Sequence, residues 1–511
     1  MQSNLDFRSH IGADSNNSIP SLERIEGALT FSAIGDALGW PTEFGRYPAS
    51  VRDRFGKNWV SDFVPWKKFV GGRFWGYEEQ IGEGEYSDDT QLTLSVARCI
   101  DDTGSFDVEK FAYLELPSWI LYEKGGGRSI KAAARHIISK KGIDWRTNFY
   151  RISSGQGPAL LYEDAGANGA AMRVLPLAVV NINDNEKLIR DCFANAIVTH
   201  GHSRAILGAI LYGCLLRFLL TKRLVSAVEV IEYLKETVQG WTHSLAGWEV
   251  ASVWRADWDR RSISGKTLRD SIKETNEEAV EYLGQISSHL AINHKDYYVR
   301  VGALDRRTKG SGLATVLTAV YMFLKYIDEP DTALIEAVNT IGSDTDTIGY
   351  FIGGLFGAYK GMSAVPSNWI AKLQDREYFK RTATALRLTL VGDTTGAFSS
   401  TSHMTRQGAL MSLYAWEIGL HELFWEALDS GSPVSHPALG RGIVEHKEAK
   451  PLPRKSGYTA KLVRVKFDCG QTCTFHSRVS SSGTISESLT SELRRSLDVL
   501  DRAGSSRIRC P

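Results

Sequence analysis

Two stretches of this chain place more carboxylate at the head of a helix than a helix start can use. Residues 87–97 read SDDTQLTLSVA and residues 341–358 read IGSDTDTIGYFIGGLFGA. In each, aspartates interleaved with hydroxyl residues stand before a run with helical character. A side-chain oxygen there accepts the unpaired N–H groups of the first turn, and either stretch alone is accounted for by that role. Together they are not, because a cap needs one acceptor and each stretch offers several. Four carboxylates brought to one place repel strongly unless cations neutralise them. Hard divalent cations favour such oxygen donors, magnesium in near-octahedral geometry. Asp344 and Asp346 lie two apart just before the helix, so one backbone turn can aim both at one ion. Of the adjacent Asp88 and Asp89, one can bind while its neighbour bridges or orients water. Gly349, Gly353 and Gly357, at four-residue steps, leave the second helix a bare face for a close partner helix.

The body that carries these helix starts reads as all-α. Leu22, Ile25, Leu29, Ala33 and Ala37 recur at three- and four-residue steps behind Ser21. Similar stripes run through 185–235, 268–290 and 312–327, and strand-like alternation is almost absent before residue 455. The expected organisation is a mobile N-terminal segment over 1–20, then a helical main domain over 21–392. Residues 235–300, rich in tryptophan and charge, read as an elaborated helix pair or an insertion. From 393 the character changes to a small C-terminal α+β appendage over 393–511. It comprises a loop (392–403), an amphipathic helix (413–428), a linker by composition (447–457), a hairpin (459–479) and a final helix (488–503).

Composition excludes more than it assigns. The 511 residues carry a net charge of +1, which offers nothing to nucleic acid or an anionic membrane surface as a whole. No apolar run approaches the roughly 20 residues that span a bilayer, and the N-terminus has no apolar signal core. Cys99, Cys192 and Cys214 sit in apolar helical surroundings, as reduced cysteines do in a cytoplasm. Cys469, Cys473 and His476 could be three zinc ligands, but no fourth is evident, and a strand hairpin is the simpler reading. A soluble, cytoplasmic protein is expected.

Five motifs in order, GALTFSAIGDALGWPTEF, YSDDTQLTLS, GANGAAMRVLPLA, THGHSRA and IGSDTDTIGYFIGGLFGAYKG, make residues 21–392 resemble the ADP-ribosylglycohydrolase family. That family includes the glycohydrolase that reactivates dinitrogenase reductase and the ADP-ribosyl-arginine and ADP-ribosyl-serine hydrolases. The resemblance implies an all-α fold around two magnesium or manganese ions. Their ligands would fall on Ser87, Asp88, Asp89, Asp344, Asp346 and Thr347, with Thr345 a spacer. It also implies cleavage of the N- or O-glycosidic bond at C1 of the distal ribose, with Asp89 and Asp346 as catalytic residues. Glu43 resembles the loop acid of the serine-directed branch, against a solvated carboxylate as the plain alternative, and Asp36 reads as structural.

In residues 163–173, EDAGANGAAMR, small residues lead into a helix start, which suits phosphate. In the family the matching loop embraces the diphosphate and distal ribose, which implicates Gly166, Asn168 and Gly169. Ala167 stands where glycine is frequent. His200 matches a histidine beside the diphosphate, whereas His202 and Arg173 read as structural. The glycine turns KGGGRS and KGSGLA contribute Gly126 and Ser311. Trp59, Trp66 and Trp75 read as packing residues. The expected partner is an ADP-ribosylated protein or other acceptor, with nucleic acid only as a modified substrate and no membrane. The competing reading is a non-catalytic ADP-ribose binder or a blocker of ADP-ribosyltransferases, as an antitoxin or immunity protein would be. A two-metal phosphoesterase is less attractive, since no histidines flank the aspartates.

Overall fold

The helix that carries the first motif is buried along almost its whole length. Helix α1, Leu22–Glu43, exposes little between Gly27 and Thr42, so it needs neighbours on every side. Its seam partner is the glycine-striped helix near the end of the main domain. The computed structural model describes residues 19–480 except 46–48, 140–142, 154–158, 264 and 394–404. The N-terminal segment, most of the 392–403 loop and the 488–503 helix lie outside the described residues.

The main body also holds α2 (Asp88–Ala97), α3 (Arg128–Ser139), α4 (Ser203–Thr221), α5 (Gly312–Lys325) and α6 (Thr345–Lys360). Each begins at or beside a motif singled out in the sequence, so the loops that carry chemistry sit at helix starts. Helix α4 corrects the expectation about apolar runs. Its 19 residues are long and apolar enough to cross a membrane by length and composition. Nevertheless, Ala205–Leu216 is buried without a break, as in a core helix enclosed by other helices. Tryptophans from the 235–300 region join the same body: the Trp254 indole donates to Tyr162 Oη and that of Trp258 to the Gly201 carbonyl, both at 2.9 Å.

Strands also occur where none were expected. Trp66–Val70 (β1) and Tyr77–Ile81 (β2) form an antiparallel hairpin between Glu43 and the first aspartate pair. Five-residue strands built of WKKFV and YEEQI are too short and too charged for alternation to stand out. After helix α7, Arg406–Ile418, come β3 (Pro433–His436), β4 (Gly440–Pro451), β5 (Tyr458–Phe467) and β6 (Thr472–Ser480). They form one antiparallel sheet in chain order. The stretch at 447–457 is therefore not a simple linker: its first five residues complete β4, where the charged Lys447, Glu448 and Lys450 are half-buried. The helix at 413–428 is also shifted. It starts at Arg406 and gives way at Gly419 to a wider turn that ends at Leu423. The all-α main body with a small C-terminal α+β region stands.

Candidate active site

Close approach of two backbones brings the second aspartate pair to Glu43. Helices α1 and α6 run antiparallel with glycines on both sides of the seam. A Cβ on Gly353 would lie 2.0 Å from the Phe31 carbonyl oxygen, and one on Gly39 would lie 2.3 Å from that of Thr345. Only glycine permits this approach. The start of α6 is thereby pressed against the last turn of α1, where Thr42 Oγ1 donates to the Val338 carbonyl at 2.7 Å and lies 3.0 Å from Thr345 Oγ1. Glu43, Asp344 and Asp346 each place a carboxylate oxygen within 4.8 Å of the other two.

The first pair arrives by a different device. Asp36, one turn before Gly39 on α1 and fully buried, accepts the backbone N–H of Ser87 (3.0 Å) and Thr90 (3.1 Å) and the Thr90 hydroxyl (2.6 Å). One carboxylate thus fixes the first turn of α2, which is the structural role read for it. Ser87 caps the helix, and its hydroxyl donates to Asp89 at 3.3 Å. Thr347 spans the two helix starts, its hydroxyl donating to Asp89 Oδ1 at 3.1 Å. One turn further in, Thr93 Oγ1 and Tyr350 Oη lie 2.6 Å apart and tie α2 to α6.

A pocket of about 210 Å³ opens above these starts. Glu43, Asp88, Asp89, Asp344, Asp346 and Thr347 line one side of it, and Asn168, Gly169 and His200 another. Asn168 Nδ2 donates to Asp344 Oδ2 at 2.9 Å, so the small-residue loop is tied to the acids directly. His200 meets Thr199 Oγ1 through Nδ1 at 2.7 Å, while its buried Nε2 has no partner among the described residues. Burial, then the nearby Arg173, lowers the His200 pKa to about 3, so the ring is neutral. Arg173 is structural: it donates to Asn195 Oδ1, the Gly169 carbonyl and Thr199 Oγ1 at 2.8–3.0 Å. His202 accepts the Arg204 N–H and caps α4.

Four of the expected site residues stand behind the wall and do not line it. Ser87 is fully buried beneath Asp89. Gly126 packs on the Trp119 ring, and its neighbours Gly125 and Gly127 face the pocket. Gly166 and Ser311 belong to a backbone joint that aligns the two substrate-side loops. There Gly312 N–H donates to the Gly166 carbonyl, Asn168 N–H donates to that of Gly310, and Ala167 bridges Ser311. Sequence reasoning missed Gly125, Arg128 and Ser129 on the lining, although the KGGGRS turn that carries them was noticed.

Cys473 and His476 lie three apart on β6, so they point to opposite faces of the sheet and cannot converge with Cys469 on one ion. Trp66 is buried in a small cluster with Trp40 and Ile81, Trp75 packs on Tyr458 of β5, and Trp59 is exposed.

The electrostatics of the acid wall suit a bound cation. Burial comes first, and repulsion from the neighbouring carboxylates second, in pushing Asp344 and Glu43 upward; Asp346 is also raised, mainly by burial. Asp89 is pushed well above the ordinary aspartate range by burial, then by Asp36 and Asp346. Lys68 and Lys309 are the cations that act on Glu43 in the opposite sense. Together with Lys131, which acts on Asp88, these ammonium groups do not balance five carboxylates. The donors are carboxylate and hydroxyl oxygens only, without sulfur or imidazole among them, which suits a hard divalent cation.

Comparison with known proteins agrees with this geometry. A family model described as ADP-ribosylglycohydrolase matches residues 17–397. An uncharacterized protein of Archaeoglobus fulgidus is 28% identical over 366 residues, 71% of this chain and 96% of the relative. The ADP-ribosyl-[dinitrogen reductase] glycohydrolase of Rhodospirillum rubrum is 23% identical, covering 69% of this chain and 90% of that protein. Human ADP-ribosylhydrolase ARH3 is 25% identical, covering 68% and 88%. The family match contains both aspartate pairs, Glu43 and the Asn168 loop, and ends before α7 and the sheet. This chain belongs to the ADP-ribosylglycohydrolase family.

Proposed function

We propose that the protein hydrolyses the glycosidic bond between ADP-ribose and a modified acceptor, using two divalent cations, magnesium or manganese, held by Asp88, Asp89, Asp344, Asp346 and Thr347, with Ser87 in support. The observation that carries this reading is the convergence of Glu43, Asp344 and Asp346 on the pocket that Asp88 and Asp89 also line, in a chain of this family. The Rhodospirillum rubrum and human relatives are named as ADP-ribosyl hydrolases, which supports the same chemistry here.

When bound, the cations supply charge neutralisation and Lewis acidity. The chain does the rest. The buried carboxylates fix the ribose hydroxyls and the attacking water, while Asp36 and Thr347 keep both helix starts in register. Asn168, tied to Asp344, and Gly169 line the side of the pocket that would take the diphosphate. His200, neutral and with an Nε2 that has no partner among the described residues, offers a hydrogen bond without a charge. In the reaction, the bond from C1 to the acceptor breaks, the water's hydroxyl goes to C1, and its proton ends on the leaving atom. Glu43, whose pKa is raised by burial and by Asp346 and Asp344, is placed to hold that proton.

The test is release of free ADP-ribose from ADP-ribosyl-arginine, ADP-ribosyl-serine and ADP-ribosylated nucleic acid, with magnesium, with manganese and with chelator. Metal-dependent release from one substrate establishes the hydrolase and names the bond. Metal-dependent binding of ADP-ribose without release from any substrate would replace it by a binder.

A further inference from the structure

Two surface segments beside the acid wall gather positive charge. Residues 49–60 and 302–309 carry Arg52, Arg54, Lys57, Arg306, Arg307 and Lys309 against only Asp53 and Asp305. All six cations are exposed except Lys309, which is half-buried. None forms an ion pair among the described residues. Arg54 donates to the Pro41 carbonyl and Lys309 to that of Ser343, each at 3.4 Å, and Asp305 is turned back onto the Arg307 N–H. The fold sets both segments against one turn, 341–343, which leads into Asp344. On one side a Cβ on Gly45 would lie 2.9 Å from both Ile341 Cγ2 and Ser50 Oγ, and Asn339 holds the Val60 N–H at 2.8 Å and its carbonyl at 2.7 Å. On the other, Leu304 Cδ2 would lie 3.7 Å from a Cβ on Gly342. Of the pocket carboxylates, Asp88, Asp89 and Asp346 are buried, whereas Glu43 and Asp344 are half-buried. The basic segments therefore flank the edge where the acid wall meets solvent. Two rings join them there: Phe44, next to Glu43, is 42% exposed, and Trp59, next to Val60, is 45% exposed.

A chain with a net charge of +1 has no general surplus of cations to spread over its surface. Six against two in one place therefore describes the charge of what sits there. Guanidinium groups fork onto phosphate oxygens. The carboxylates of an acidic peptide would also satisfy the cations, but they leave the exposed indole and phenyl faces unused. A nucleobase stacks on such a face, and only from a single strand, because a duplex keeps its base faces within its own stack. We propose that residues 49–59 and 305–309 form a docking surface for single-stranded nucleic acid, at the Glu43 edge of the pocket. That this edge takes the acceptor rests on the ADP-ribosyl reading above; the binding itself does not. On that reading the surface presents a nucleotide-borne ADP-ribose to the acid wall, with phosphates on the arginines and a base on Trp59.

The experiment follows the fluorescence anisotropy of an unmodified single-stranded oligonucleotide of about 12 nucleotides. It uses the wild type, the double variant Arg306→Glu with Arg307→Glu, and Trp59→Ala. The altered side chains are exposed and do not line the pocket, and circular dichroism checks folding. Wild-type affinity should fall by about tenfold or more between about 50 and about 200 mM salt, as contact with about three phosphates requires. The double charge reversal should weaken binding by about tenfold or more, and Trp59→Ala by about fivefold or more, the loss of one base stack. A duplex of the same length should bind more weakly than the single strand. Release of ADP-ribose from a modified oligonucleotide should show KM raised by about the same factors with kcat kept, while release from a serine- or arginine-linked peptide stays within about twofold. Oligonucleotide binding that is absent, or unchanged in both variants, would overturn the surface. So would an acidic peptide bound as tightly as the oligonucleotide and indifferent to Trp59. Binding as expected, without ADP-ribose release from any substrate, would uphold the surface and overturn the parent reading.

Discussion

Asp346 sits where three constraints meet: it shares a carboxylate cluster with Glu43 and Asp344, it accepts the Thr347 N–H at 2.9 Å, and it faces Asp89 across the seam. Asp346→Asn removes one negative charge from a repelling set and keeps the shape. The variant should therefore be at least as stable as the wild type in chelator, while turnover falls by about 100-fold or more, since even outer partners of a metal site are worth about 10–100-fold. Thermal melts with and without magnesium, run beside the release assay, check both halves. Unchanged turnover would remove Asp346 from the site. Asp36 makes the complementary case, because it does not line the pocket. Asp36→Ala leaves two α2 N–H groups and the Thr90 hydroxyl without their acceptor. Metal affinity should fall by about 10-fold or more, measured by calorimetric titration, although every pocket-lining residue is kept. Residues of this kind differ in how legible they are from sequence. The aspartates announce themselves by density, but Lys68 is one of two adjacent lysines in a charged stretch. Its ring partner Trp40 reads as core, and only the folded hairpin shows that they meet.

At the scale of elements, the site depends on a helix seam that tolerates no side chains. The four-residue glycine step of α6 was readable as a bare face, but its partner was not, because Gly27, Gly35 and Gly39 of α1 are spread among large apolar residues. The β5–β6 hairpin was readable at 459–479, whereas the hairpin β1–β2 and strands β3 and β4 were illegible for a different reason. They are short or edge-exposed, and their outward charges hide the period of two. A paired substitution tests the seam. In Gly353→Ala the new methyl would meet the Phe31 carbonyl at 2.0 Å, so the helices must part; stability should drop by about 1–3 kcal/mol despite alanine's better helix propensity. Since α1 carries Glu43 and α6 carries Asp346, magnesium affinity should fall as well. In Gly240→Ala, on the helix Ala227–Ser244, a Cβ meets nothing within 4 Å. There the same change should stabilise by about 0.5–1 kcal/mol. Urea melts of the two variants should move in opposite directions; a common direction would contradict the seam.

The whole molecule is held to its C-terminal sheet by buried polar joints and not by apolar contact alone. Arg98, which follows α2, pairs with Glu115 at 2.7 Å and donates to Gln471 at 2.6 Å, all three buried. Asp375 accepts from Tyr86, from Lys466 on β5 and from the Thr472 N–H on β6. Arg464 of β5 reaches Glu85, whose other partner is Lys124, next to the pocket's Gly125. The sheet thus braces the turn that brings Gly125 to the pocket, although it lies outside the family match. Its weak point is acid. His421 and His436 are 3% and 1% exposed, and burial lowers the pKa of each to about 3. The unfolded chain binds these protons near the ordinary histidine value, about 6.5, and the folded one does not, so stability is lost as pH falls from about 6.5 toward 3. Between pH 7 and pH 5 each histidine should withdraw about 2 kcal/mol. In His436→Asn an amide oxygen can still accept the Ala438 and Leu439 N–H groups that the ring accepts at 3.1 and 3.2 Å. Its urea midpoint should therefore shift less between these pH values than that of the wild type, by about one histidine's worth. An equal shift in both proteins would show that the ring is not held neutral, and the brace would then have to fail at some other joint.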